Sequence, residues 1–265
     1  MKNIHQITHS NFLSNLTINT PDASEAASII KKQLELSKVV KVTNCYHIQD
    51  LRNFYDTITD NLGKPVYIGE DYKKGGSNTG ERWLEVRYDQ DVPDMDAYRH
   101  SKNAQPLHTD ESYISDPCDV LVFYCVNRAI KGGQTLFVDS YDLVERMKVV
   151  DPDLLDRLSN TNVTYSKAEN SRCEKIIDLE DPTNPALNYN YYCISKDEPL
   201  ESQKLNQEFL DFLNTHVRGS FIEHPVQLSP GESVFWWDHY LLHGRNPFEA
   251  NKTNDRFIWK AGIKW

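Results

Sequence analysis

His108 and Asp110 stand two residues apart in the stretch QPLHTDESYISDPCDVLVFYCVNRAIKGGQTLFVD, residues 105–139. In extended chain, side chains two apart point the same way. One short element can therefore offer an imidazole and a carboxylate to a single ion. An octahedral Fe(II) site of the two-histidine, one-carboxylate type needs one further histidine and leaves its other positions open. The run WWDHYLLHGR, residues 236–245, supplies candidates. A turn after a strand can aim His243 inward, and His239 is a competing ligand. Further on, Arg256, Ile258 and Lys260 fall on one face of a strand by the period of two. A cation on an inward face is costly unless it meets an anion. A bound dicarboxylate would be such an anion, and Arg256 offers it a planar fork.

These groups need elements to position them. Apolar residues at helical spacing predict helices over 21–37, with Asp22 or Ser24 as cap, and over 48–62, stopped by Gly63 and Pro65. Further helices are expected over 140–158, broken near Asp151-Pro152, and over 201–217. Strands are expected over 39–42, 83–88, 121–126, 135–138, 163–165, 221–228, 233–237 and 256–263, with a weaker start near Asn11. The run 121–126 is apolar throughout, as in a strand buried on both faces. Lys131-Gly132-Gly133-Gln134 reads as a turn joining it to 135–138 in a hairpin. Residues 71–80 are a polar, glycine-bearing loop. Residues 89–103 form a long connector that could contact substrate. The stretch 166–200 yields no assignment.

Composition bounds the class. A chain of 265 residues can bury a sizeable core, and folds of this size are often one domain. One domain over 1–265 is expected. With 39% hydrophobic and 26% charged residues and no long apolar run, nothing reads as membrane-spanning or as a signal peptide. The net charge of −10 argues against a nucleic-acid partner. Five cysteines without a C-x-x-C pair indicate neither a disulfide framework nor a zinc ribbon. A cytoplasmic setting is the expectation.

The ordered set — H-x-D before a strand, G-G-x-T, a W-D strand ending in H-G-R, then an arginine on the closing strand — resembles the taurine dioxygenase/clavaminate synthase-like Fe(II)/2-oxoglutarate-dependent oxygenases. The likeness runs from about Val39 to the C-terminus. It implies a mainly β fold with flanking helices, built on a double-stranded β-helix (jelly roll). It implies iron ligation by His108, Asp110 and His243. It implies a 2-oxoglutarate carboxylate held by Thr135 and Arg256, with Lys260 standing where family members often carry a second arginine. Lys260 would share that carboxylate or contact a surface acid. The W-D to histidine run is one residue shorter than the family's. The implied reaction uses O2, releases succinate and CO2, and hydroxylates a small polar substrate such as an amino acid or related acid. Asp110 argues against halogenation. Desaturation, cyclisation and epimerisation use the same ligands, and a non-catalytic 2-oxoglutarate-binding module is the competing class. Substrate contacts are sought among Arg87, Arg99, His100, Asn103, Gln105 and Arg245.

Overall fold

The computed structural model describes residues 11–67, 80–92 and 98–265. Nine of the ten residues of the loop 71–80, and part of the connector 89–103, lie outside them. Two sheets face each other. One holds seven strands in the order Leu13–Ile18, Val39–Asn44, Ser233–Trp237, Val120–Asn127, Phe257–Lys264 and Lys64–Val66, with Leu84–Arg87 also on Phe257–Lys264. The other holds four: Glu223–Val226, Thr135–Asp139, Leu241–Arg245 and Gln105–His108.

The apolar run 120–127 explains why the larger sheet is covered on both sides. Val120, Val122 and Tyr124 pack under the helices, while Leu121, Phe123 and Cys125 point toward the second sheet. Ser233–Trp237 divides its side chains the same way. Phe235 and Trp237 go to the helical side, Val234 and Trp236 to the space between the sheets. Trp236 fills that space, meeting Phe123 and Phe137 edge-on at 4.7 and 5.4 Å between ring centroids. Complete burial of such a ring contributes on the order of 2–3 kcal/mol of transfer free energy.

Helices Ala23–Leu34 and Leu51–Leu62 cover the outer face of the larger sheet. Each starts on an aspartate, Asp22 or Asp50, that accepts first-turn amide hydrogens. Ser140–Val150, Pro152–Asn160 and Leu200–Phe212 cover the smaller sheet. Asp151 both ends the first of these and caps the second, with Pro152 at its opening position. The expected strand 163–165 is Asn162–Lys167, paired antiparallel with Asn170–Lys175 from the unassigned stretch, which also forms a short pair, Ile177–Asp178 with Ala186–Leu187.

One expectation is overturned. Strands 120–127 and 135–139 are not a hairpin, because they belong to different sheets. Gly132 and Gly133 (φ +76° and +75°) carry the chain across. A Cβ on Gly132 would lie 2.2 Å from the Pro247 carbonyl oxygen, so the chains approach too closely for any side chain. Lys131–Gly132 pairs instead with Phe248–Glu249.

Candidate functional site

His108 ends the edge strand of the smaller sheet, and His243 lies directly opposite it on the next strand. This antiparallel register sets the two imidazoles 4.3 Å apart between ring centroids. Asp110 follows on the turn after His108. Its Oδ1 lies 3.7 Å from His108 Nε2 and its Oδ2 3.5 Å from His243 Nε2. One donor atom from each of the three falls within 4.8 Å of the others. Cis ligands at ~2.1 Å from an octahedral ion stand roughly 3 Å apart. The two Asp110–imidazole distances would have to close by roughly 0.5–0.7 Å for the three residues to share an ion. His108 Nδ1 is 2.8 Å from the Pro106 carbonyl, which fixes the ring with Nε2 facing the cluster. His239 is not a member, since its Nε2 meets the Cys118 carbonyl at 2.9 Å.

Asp238, which sequence reasoning passed over, organises the back of this cluster. It is fully buried. Its Oδ2 accepts the Asp110 amide hydrogen at 2.7 Å and its Oδ1 accepts the Trp236 indole N–H at 3.0 Å. His243 Nδ1 stands 3.1 Å from the same Oδ1, off the line of a straight hydrogen bond. The W-D pair was the available signal, because the aspartate directly follows a buried strand.

Charge is concentrated here. Lys260 reaches across from the larger sheet and donates to Asp110 Oδ2 at 2.5 Å. Burial alone would raise the Asp110 carboxyl, but Lys260, His108 and His243 hold it well below the usual range. Burial would lower His243, and Asp110 and Asp238 instead lift it to about 9. The acid that Lys260 meets is thus the half-buried Asp110 rather than one on the surface. Lys260 and Arg256 do share a strand face, but Lys260 lies four residues farther along, level with the Asp110 turn.

Arg256 enters a separate small cavity lined with Thr135, Gly133, Cys125, Val226, Leu228 and Ile258. It is 4% exposed, and no acceptor is assigned to its guanidinium among the described residues. Burial pulls its pKa down to about 10. Thr135 is two residues along its strand from Phe137, the residue opposite His243. By strand rise this is roughly 7 Å, the scale of a five-carbon dicarboxylate.

Of the candidate substrate contacts, Gln105 alone is placed against the cluster, its Nε2 3.1 Å from His108 Nε2. Arg245 is committed elsewhere. It donates to the carbonyls of Tyr98, Ser101 and Asn103 at 2.9, 3.1 and 2.7 Å and so clamps the connector onto the sheet. Arg87 pairs with Glu85 and Asn254, Arg99 donates to the Glu85 carbonyl, and His100 meets the Arg87 carbonyl.

Residues 7–261 match the family described as taurine catabolism dioxygenase TauD, TfdA family. The chain belongs to this family. Human gamma-butyrobetaine dioxygenase is 24% identical over 191 residues, which cover 66% of this chain and 48% of that protein. This TauD/TfdA chain thus aligns with only about half the length of that relative. Among solved structures, asparagine oxygenase superposes with a TM-score of 0.70 at 14% identity, over 94% of this chain and 92% of its own. The non-heme iron oxygenase OrfP, solved with Fe and alpha-ketoglutaric acid, gives 0.65 at 13% identity, over 95% and 94%. At these identities the superpositions speak for the fold. A β-rich core with helices is common to this TauD/TfdA member and those structures.

Proposed function

We propose that this protein is an Fe(II)- and 2-oxoglutarate-dependent dioxygenase that hydroxylates a small polar substrate, an amino acid or a related acid. The observation that carries this is the cross-strand pair His108–His243 with Asp110 beside it, in a chain of the TauD/TfdA family. His108, Asp110 and His243 would hold iron, which, when bound with 2-oxoglutarate, supplies O2 activation coupled to release of succinate and CO2. Arg256 and Thr135 would hold the distal carboxylate of 2-oxoglutarate. Both side chains are buried, so the ion pair would form in a medium that strengthens it. Trp236 and Phe137 pack around the His243 ring and help keep water from the buried side. Asp238 keeps the Asp110 backbone in place. Lys260 meets Asp110 Oδ2 and Gln105 meets His108 Nε2, both atoms that would face the ion.

The substrate class follows the relatives, whose names specify gamma-butyrobetaine and asparagine. The two facing sheets support a double-stranded β-helix in a single domain. No helix among the described residues is long and apolar enough to cross a membrane. Anaerobic addition of Fe(II) and 2-oxoglutarate is expected to produce a weak visible charge-transfer band. Aerobic incubation with the right amino acid is expected to release succinate. Absence of the band, with no 2-oxoglutarate binding by calorimetry, refutes the assignment. Binding without succinate release from any amino acid or small acid would favour a sensor of the dicarboxylate.

A further inference from the structure

Asn188 is 2% exposed, and neither its Nδ2 nor its Oδ1 has a hydrogen-bond partner among the described residues. A buried carboxamide with both ends unmet is costly. Buried polar groups in folded proteins are nearly always satisfied, so such an exception calls for a cause. Its placement supplies one. Asn188 directly follows the strand Ala186–Leu187. The next residue, Tyr189, accepts the Thr109 amide hydrogen at 2.7 Å, and its own amide donates to Thr109 Oγ1 at 3.0 Å. The segment therefore runs beside the His108–Asp110 stretch. Leu187 and Tyr189 enter the same core cluster as Leu107. With Leu187 and Tyr189 both in that core, the period of two turns Asn188 to the other side, as it turns His108 beside Leu107. The Asn188 amide donates to the Ile176 carbonyl at 3.0 Å, so the backbone is tied on both sides and the carboxamide is held in place.

We propose that Asn188 is a specificity-determining residue of this site, and that it binds a substrate head carrying both an N–H donor and a carboxylate or carbonyl acceptor, as an α-amino acid does. The inference rests on the Fe(II)/2-oxoglutarate reading above. Nδ2 donates to the acceptor and Oδ1 accepts from the N–H. A quaternary ammonium has no N–H and leaves Oδ1 unmet, so the site prefers a primary amine at this position. A site built to hydrogen-bond a polar head rejects an analogue lacking it, because the protein group is then stranded.

The test uses the nearly isosteric Asn188→Leu, with Asn188→Ala as the second variant should the first fail to fold. The anaerobic Fe(II)/2-oxoglutarate band is titrated with L-asparagine, L-arginine and γ-butyrobetaine as probes. The band of the unmodified protein is expected to shift with at least one of the two amino acids. The half-saturating concentration should rise tenfold or more in the variants, at an unchanged 2-oxoglutarate requirement. Without probe or metal, Asn188→Leu should melt higher than the unmodified protein, because a stranded polar pair has been removed; a structural carboxamide would give a lower melting point. A response to γ-butyrobetaine alone, a response to none of the three, an unchanged half-saturation in the variants or a lower melting point of Asn188→Leu overturns the proposal. Failure of the unmodified protein to form the band at all is a separate result, which removes the preceding assignment and this proposal with it.

Discussion

At the scale of single residues, the two cations Arg256 and Lys260 have different tasks, and substitution should separate them. Arg256 is buried with no assigned acceptor, so Arg256→Ala should weaken 2-oxoglutarate by roughly tenfold or more. Charge-assisted hydrogen bonds contribute about 1.5–3 kcal/mol, and ~1.4 kcal/mol is a factor of ten. Calorimetry with and without Fe(II) measures this, and iron affinity should hardly change. Lys260→Met should do the reverse. Its ammonium sits on Asp110, where it competes with a dication for the same oxygen. Removing it should tighten Fe(II) binding and leave 2-oxoglutarate affinity alone. A loss of 2-oxoglutarate binding in Lys260→Met would return Lys260 to the co-substrate. Asp238→Asn keeps the shape but loses one acceptor of the set that serves the Asp110 amide and the Trp236 indole. Partners behind metal ligands commonly account for 10–100-fold in metal affinity, and a loss of that size at unchanged circular dichroism is expected. His239→Ala should leave Fe(II) binding nearly intact while His243→Ala abolishes it.

At the scale of elements, the crossover at Gly132-Gly133 sets the position of Thr135. Both glycines have positive φ, and Gly132 faces the Pro247 carbonyl at a distance that admits no Cβ. Gly132→Ala should therefore destabilise the fold by more than the ~1 kcal/mol typical of helix-interior glycine changes in reverse, through both strain and a clash with backbone. Denaturant unfolding measures it, and a ΔΔG near zero would show that the crossover can shift freely. The same lesson applies to 166–200. Its polar, asparagine-rich composition masks short strands that pair locally, and periodicity over so few residues carries little signal.

At the scale of the whole molecule, the two larger sheets face one interior, and a buried ion pair ties them. Lys38 immediately precedes a strand of the larger sheet, and Asp139 ends one of the smaller. Their charged atoms are 2.5 Å apart at 2% and 1% side-chain exposure. Removing one partner of a buried pair costs about 3–5 kcal/mol, because the other charge is stranded. Lys38→Met should lower the melting temperature substantially, while Lys38→Met with Asp139→Asn recovers part of it. A single variant that melts with the unmodified protein would show that the sheets hold together without the pair.

The sequence by itself determined the local facts. Apolar spacing located the helices, the apolar run 121–126 read as a strand buried on both faces, and H-x-D put two donors on one side of one element. Those rest on interactions within a few residues, which spacing reports directly. Tertiary structure decided what depends on which strand lies beside which. It set His243, and not His239, opposite His108, brought Lys260 to Asp110 and placed Arg256 beside Thr135. It spent Arg245 on the carbonyls of a distant loop, and it separated two strands that their short connection suggested were paired. None of these is written in local propensity, because a partner a hundred residues away is selected by sheet register and by the burial of charge, and both are settled only when the two sheets close.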